Sequence, residues 1–475
     1  MADQHSAANH LPAAASSTGD GSAGDRSAPP GSGMPEESAI AAAEGAFDAS
    51  NPPERGLIDD CVHCGFCLPA CPTYELWGEE MDSPRGRIHL MEAGLDGEPM
   101  SGSMVEHFDN CLGCMACVTA CPSGVQYGRL LTQTRAQVER RHERGRWDKA
   151  LRAAIFSVFP YPRRLRAMRG PLALYQRLGV GKLLRRTGLL DKLPAHLRTM
   201  ESLAPPIRRS PKLGRRLPAR GSRRATVGMV TGCVQGAFFP DVNNATARIL
   251  AAEGCDVVIP PAQGCCGALS EHSGREEEAV RFAKETLDTF EGSNVDYVVI
   301  NSAGCGSTLK EYPHLLRDDP EYAERARRFS ERVRDISEVL TELGPVARRH
   351  PLPVEIAYHD ACHLSHGQGI RSQPRELLRA IPELRLREIN RGELCCGSAG
   401  VYNLLQPQAA GELGDRKAEN ILDTGASLLV TANPGCSTQI RTALQRRDEQ
   451  LAMAHTVQVL DASIRGAPVD ELLSG

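Results

Sequence analysis

The feature that most constrains this chain is a twelve-residue run that occurs twice. Cys61-Val62-His63-Cys64-Gly65-Phe66-Cys67-Leu68-Pro69-Ala70-Cys71-Pro72 returns as Cys111-Leu112-Gly113-Cys114-Met115-Ala116-Cys117-Val118-Thr119-Ala120-Cys121-Pro122. Each copy reads C-x2-C-x2-C-x3-C-P, the spacing that wraps a [4Fe–4S] cluster. Three thiolates this close fold around one face of a cube, and the fourth ligates the cluster of the other run. The rule assigns Cys61, Cys64, Cys67 and Cys121 to one cluster. It assigns Cys71, Cys111, Cys114 and Cys117 to the other. Pro72 and Pro122 carry no N–H and end local structure behind the last ligand. The competing reading is structural zinc in two four-cysteine sites, but zinc sites usually pair CxxC knuckles across a long gap.

Seventeen cysteines is an odd number, and clustered ligand spacing needs free thiolates. Both argue against a disulfide scaffold and for a reducing, cytoplasmic setting. No stretch approaches the ~18 apolar residues of a membrane span. The net charge of −4 hides an asymmetry, because residues 129–224 carry 26 Lys/Arg against 5 Asp/Glu. A basic segment of this kind faces something acidic: another subunit, the chain's own acidic surface or anionic lipid. Nucleic acid is a poor reading, since the chain as a whole is acidic and carries no recognition motif.

The composition divides the chain into five parts. Residues 1–48 are rich in Ala, Ser, Gly and Pro and read as a disordered tail. Residues 49–128 form the two-cluster domain. Its two runs lie too far apart for a compact β-ferredoxin, and Ser83-Pro84 has the form of a helix start, so a mostly helical domain is expected. Arg85 and Arg87 are placed either to stabilise an anionic cluster or to sit in solvent. Residues 129–224 form a basic helical connector interrupted by Pro160-Tyr161-Pro162 and Pro205-Pro206. There, Ile155, Phe156, Val158 and Phe159 precede Arg163, Arg164, Arg166 and Arg169. That pattern suits a peripheral membrane or partner contact, or a linker packed on the core.

Residues 225–345 and 346–475 repeat one another. In the first copy Cys233 is followed by Cys265-Cys266-Gly267 and Cys305, and in the second Cys362 is followed by Cys395-Cys396-Gly397 and Cys436. Each cysteine group follows a β-like run, as Tyr297–Ile300 precedes Cys305 and Leu428–Thr431 precedes Cys436. Helical patterns lie between, at 243–252, 276–290, 374–380 and 409–422. Alternation of this kind predicts parallel βαβ units with the cysteines at the strands' carboxyl ends. The fold class is therefore α+β multidomain: a mostly helical two-cluster domain, a helical connector and two α/β repeats with parallel strands. Four thiols per repeat suit an iron–sulfur cluster, a zinc ion or a redox-active thiol site, and small buried cysteines that merely pack are the alternative. His359 and His363 flank Cys362 as further candidate ligands.

The motifs Pro84-Arg85-Gly86-Arg87, Gly264-Cys265-Cys266-Gly267, Gly304-Cys305-Gly306 and Leu394-Cys395-Cys396-Gly397 carry a resemblance. The repeats resemble the cysteine-rich CCG domain of heterodisulfide reductase and its relatives. The chain from about Leu57 to Arg465 resembles the iron–sulfur subunit of bacterial glycolate oxidase (glycolate dehydrogenase). The fullest CCG motif ends in CxxC, whereas Thr308 and Gln439 stand at the expected last positions.

The resemblance implies an oxidoreductase complex in which FAD-containing subunits oxidise glycolate to glyoxylate. Here no G-x-G-x-x-G follows a strand and no P-loop is present. The implied role is then electron relay from the flavin toward a quinone or other acceptor, with no catalytic residue of its own. Peripheral contact with the cytoplasmic face of the inner membrane fits that role. Two rivals remain: the iron–sulfur subunit of a lactate or glycerol 3-phosphate dehydrogenase complex, and a zinc-bound assembly scaffold.

Overall fold

The computed structural model describes residues 45–208 and 210–474. Most of the expected tail, residues 1–44, lies outside the described residues. Ala46 and Phe47 are buried in the core of the domain that follows.

That domain is helical. It comprises α1 (Pro72–Trp77), α2 (Pro84–Leu95), α3 (Gly102–Asn110), α4 (Ala116–Ala120) and α5 (Tyr127–Arg141). α2 begins where the sequence puts it: Ser83 Oγ accepts from the Gly86 N–H at 3.0 Å, and Pro84 fills the first turn. Ile88 and Met91 of α2, Phe108 of α3 and Leu130 and Leu131 of α5 form the core. The first cysteine run is a loop followed by α1, and the second holds α4 within it and buries Cys111 and Cys117 in the core.

The connector holds α6 (Arg146–Val158) and α7 (Pro162–Arg177), then shorter helices to Ser202. Its apolar patch faces inward. Ile155 and Phe156 pack on Val401 and Leu404, and Val158 and Leu165 pack beside Cys233 and Phe282. The exposed apolar side chains of the connector are others: Trp147, Met168, Leu174, Leu178, Leu183, Leu189 and Leu197.

Two α/β units follow. The first runs β1 (Arg216–Leu217), β2 (Ala225–Met229), α8 (Pro240–Ala252), β3 (Cys255–Val258), α9 (Glu276–Glu291), β4 (Tyr297–Ile300), α10 (Ala303–Leu315), β5 (Val333–Asp335) and α11 (Ile336–Leu343). The second runs β6 (Glu355–His359), α12 (Ser372–Arg379), β7 (Arg385–Glu388), α13 (Pro407–Leu422), β8 (Leu428–Thr431), α14 (Pro434–Arg446), β9 (Ala452–His455) and α15 (Thr456–Arg465). The sheets have orders β1-β3-β2-β4-β5 and β7-β6-β8-β9. All pairs are parallel except the short edge strand β1. Register sets the ends level: Gly228 pairs with Val258 and Val298, and Tyr358 with Glu388 and Val430. Every site cysteine of the repeats therefore lies beyond the carboxyl end of a strand, where open α/β sheets build their sites.

The two repeats share one core, with Val227, Met229 and Ile249 of the first packed in the same cluster as Ile356, Val430 and Leu460 of the second. α15 of the second repeat packs on α8 of the first, and α11 of the first on α12 of the second. The exchange is reciprocal, as at a two-fold interface. His455 locks it: Nδ1 accepts from the Val457 N–H at 3.2 Å and Nε2 donates to Asn301 O of the first repeat at 2.8 Å. No helix among the described residues is long and apolar enough to cross a membrane.

Burial holds the His455 imidazole neutral and lowers its pKa from 6.5 to about 4. The native state thus binds a proton less readily than the unfolded chain. Stability is full above pH 6.5 and falls as the pH drops toward 4, by on the order of 3 kcal/mol from this group. Denaturant unfolding at a series of pH values should show a steeper acid loss for the natural chain than for His455→Gln. Equal slopes would remove His455 as the source of the acid loss.

Candidate metal centres

The two N-terminal runs fold as loops that face one another. Cys61 has Cys121 as its strongest thiol neighbour, ahead of Cys64. Cys117 is surrounded by Cys114, Cys111 and Cys71. Cys121 thus neighbours Cys61 of the first run, and Cys71 neighbours both Cys117 of the second run and Cys67 of its own. Burial raises the Cys61 thiol, and it pushes Cys67 to about 11 and Cys114 and Cys117 well above the ordinary range, with the neighbouring thiols adding to it. Such thiols ionise when a cation sits among them, so metal binding would release protons.

Cys111 is the exception. Burial opposes its ionisation, but the guanidinium groups of Arg87 and Arg135 outweigh it and lower its pKa. Its sulfur also accepts from the Gly113 N–H at 3.4 Å and the Tyr127 hydroxyl at 3.6 Å. Donors of this kind stabilise a charged sulfur and tune a cluster's potential.

The loops differ in exposure. Cys64 is exposed, with Val62 at 68 % and Phe66 at 66 % accessibility beside it. Cys111, Cys114 and Cys117 are buried.

The Pro84-Arg85-Gly86-Arg87 motif explains how the loops are held. Arg87 is fully buried. It donates to Thr73 Oγ1 (3.1 Å), Asp82 O (2.5 Å), Asp82 Oδ1 (2.9 Å) and His107 O (2.6 Å). Those acceptors join the segment after Cys71 to the helix before Cys111. Although burial opposes its charge, Cys111, Tyr127, Cys71 and Asp82 keep Arg87 firmly protonated. Arg85 is half-buried, pairs with Glu80 and donates to His63 O at 3.1 Å. Gly86 is required by space, since a Cβ there would lie 2.0 Å from Glu80 O. Of the two expectations for these arginines, solvated charge fails for Arg87, which braces the cysteine loops from beneath.

In the first repeat Cys233, Cys265, Cys266 and Cys305 come together. The Cys233 and Cys265 sulfurs are 3.7 Å apart, and Cys266 interacts with both Cys265 and Cys305. In the second, Cys395 interacts with Cys362 and Cys396, and Cys396 with Cys436. Gly267 and Gly397 have φ of +87° and +85°, and a Cβ on either would crowd a helix carbonyl at 3.1 or 2.6 Å. The Cys-Cys-Gly turn therefore needs its glycine. Cys395 and Cys436 hydrogen-bond to Cys396 and pull its pKa well below the ordinary thiol range. Thr308 and Gln439 supply no sulfur and are satisfied elsewhere. Thr308 donates to Glu271 at 2.8 Å, and Gln439 pairs with Ala410 O and Asn403 at 2.7 and 3.0 Å. Cys255, the seventeenth cysteine, is buried in β3 as part of the core.

The second repeat also touches the N-terminal domain. Cys362 is the neighbouring thiol that acts most strongly on Cys114. Leu112, Cys114 and Ala116 share a buried cluster with Cys395, Tyr402 and Leu413. His363 Nε2 donates to Gly113 O at 2.9 Å, and Tyr402 donates to Asn110 O at 3.1 Å. His363 is thereby a hydrogen-bond donor that seats the second loop. Arg135 completes the seam by donating to His272 O at 2.7 Å and to Cys111 O. No local sequence pattern marks Arg135, Tyr127 or Tyr402, because their partners lie in other domains or loops.

Two neighbouring four-cysteine runs on a helical domain, joined to two cysteine-bearing α/β repeats, define an iron–sulfur protein of the dicluster-plus-CCG class. Residues 57–125 match the family model of a 4Fe-4S dicluster domain. Residues 227–310 and 356–441 match that of the cysteine-rich CCG domain. Residues 147–204 match the linker region of the glycolate oxidase iron-sulfur subunit. The chain is 40 % identical to a probable glycolate oxidase iron-sulfur subunit of Bacillus subtilis (strain 168), over 83 % of this chain and 90 % of that one. It is 35 % identical to the glycolate oxidase iron-sulfur subunit of Escherichia coli (strain K12), over 86 % and 94 %. Lactate utilization protein A of Halalkalibacterium halodurans is 31 % identical but matches only 50 % of this chain, with 96 % of its own length covered. The chain belongs to the family of glycolate oxidase iron–sulfur subunits.

Removing one partner of a buried ion pair costs about 3–5 kcal/mol, whereas an exposed pair is worth about 1 kcal/mol or less. Arg87→Leu should therefore destabilise the protein severalfold more than Arg85→Leu, as read by chemical unfolding. Comparable losses would contradict the brace assigned to Arg87.

Proposed function

We propose that this chain is the electron-transfer subunit of a glycolate oxidase complex. Electrons come from a flavin-bearing partner that oxidises glycolate to glyoxylate, and pass toward a quinone or another acceptor. Cys61, Cys64, Cys67 and Cys121 would hold one [4Fe–4S] cluster, and Cys71, Cys111, Cys114 and Cys117 a second. When bound, these groups supply one-electron chemistry that drains a two-electron flavin stepwise.

The observation that carries the reading is the graded placement of the two loops. The loop of Cys61–Cys67 is open to a partner, with Val62 and Phe66 presented beside the sulfurs. The loop of Cys111–Cys117 is sealed and abuts the second repeat. One loop is thus reachable from outside and the other leads inward. The cysteines of the two repeats (Cys233, Cys265, Cys266 and Cys305; Cys362, Cys395, Cys396 and Cys436) would hold further metal, as four convergent thiols at each site support. Exposed Leu174, Leu178, Leu183 and Leu189 lie in a connector rich in arginine. They support a peripheral contact with the anionic inner-membrane surface, where a quinone is available. A lactate-oxidising assembly is the weaker reading, since the lactate utilization relative matches half of this chain.

Cys64→Ser tests the relay. In the assembled complex it should remove one cluster's electron paramagnetic resonance signal and reduce glycolate-dependent dye reduction to background. Full activity with that signal gone would defeat the proposal.

A further inference from the structure

The two repeats are not equivalent at the residue three positions before the first cysteine. In the first repeat that residue is Val230, buried and apolar. In the second it is His359, the last residue of β6, with 1 % of its surface accessible. Neither ring nitrogen of His359 has an oxygen or nitrogen partner, and its interacting neighbour is the Cys396 sulfur. The polar groups gathered around it are sulfurs, because a ring nitrogen and the Cys396 and Cys436 sulfurs all lie within 4.8 Å of one another. We propose that His359 is a metal ligand, so that the second repeat holds an iron–sulfur centre on mixed imidazole and thiolate donors while the first has thiolates alone.

Three observations support this assignment. First, a buried imidazole with no oxygen or nitrogen partner is rare and costly, and the His359 ring meets only sulfur. A metal at one nitrogen reduces that cost. Second, two of the neighbouring histidines are bonded elsewhere, while His272 Nε2, also buried without a partner, lies against the His363 ring and not among the sulfurs. His363 donates to Gly113 O, and His455 is bonded at both nitrogens. Third, the final CxxC sulfur is absent here, Gln439 being turned to Ala410 O and Asn403. The set Cys362, Cys395, Cys396 and Cys436 is thus one donor short of five, and His359 supplies a fifth from the strand side. Asn433 Nδ2 donates to the Cys436 sulfur at 3.5 Å, a contact of the kind that orients ligands around a metal.

Both repeats keep four thiolates, and the imidazole adds a fifth donor without adding charge; a thiolate in its place would add negative charge and lower the potential. The site lies against the sealed N-terminal loop through Cys362 and Cys114.

The proposal rests on the reading that the second repeat holds iron, and the experiment separates the two. The full chain is produced with its flavin partners, with natural or [15N]histidine. Pulsed electron paramagnetic resonance is recorded on samples poised through the whole redox titration. A nitrogen coupling that changes with the label and disappears in His359→Gln is expected, and His359→Cys should lower the midpoint potential of that centre alone. If no histidine coupling is found while Cys396→Ser lowers the iron content, the centre exists and His359 is not its ligand. If Cys396→Ser with Cys436→Ser leaves the iron content unchanged, or the site holds zinc, the reading of iron in this repeat fails and the proposal with it. The labelled natural chain decides the first question even if both His359 variants misfold.

Discussion

Two cysteine runs forty residues apart meet in the fold, with thiols of each beside thiols of the other. That approach is the constraint around which the N-terminal domain is built. A buried guanidinium meets it. Arg87 ties the segment after Cys71 to the helix before Cys111, and its charge is balanced by Asp82 and by the sulfurs themselves. An isolated buried cation would be prohibitive. Here the acceptors that surround it are the groups the loops must bring together, so electrostatics and geometry favour one arrangement. Gly86 lets α2 approach Glu80 closely enough for this to happen.

The α/β half resembles a duplication whose copies have since taken different neighbours. Reciprocal packing of closing helices fixes the two repeats as one body, and the sheets place both cysteine sets at corresponding ends. Their covers differ. The first set lies under the connector, through Val158, Tyr161 and Leu165. The second lies under the N-terminal loop, through Leu112, Cys114 and Ala116. The difference in cover accompanies a difference in lining, Val230 in one and His359 in the other.

Much of this was legible from residue spacing, and the reason is local. A ferredoxin-type run encodes its cysteine spacing in twelve residues, Ser83-Pro84 encodes a helix start in two, and β-runs before Cys305 and Cys436 encode the strands that precede α10 and α14. What escaped depended on distant partners. Arg87 reads as solvated or buried with equal ease until Thr73, Asp82 and His107 O surround it. Ile155 and Phe156 read as a contact patch until Val401 and Leu404 cover them. His359 and His363 look alike in the chain, four residues apart. One is satisfied by a carbonyl of another domain, and the other is left among sulfurs. Strands β5 and β9 are only three and four residues long and carry no pattern that outweighs their surroundings.

The crossing of the fourth cysteines is the claim most open to direct measurement. Potentiometric titration of the two N-terminal cluster signals in Cys121→Ser and Cys71→Ser would decide it. Loss or shift of the exposed-loop cluster in Cys121→Ser and of the sealed-loop cluster in Cys71→Ser is the predicted result. The reverse pattern, with each substitution affecting the cluster of its own run, would contradict the crossing.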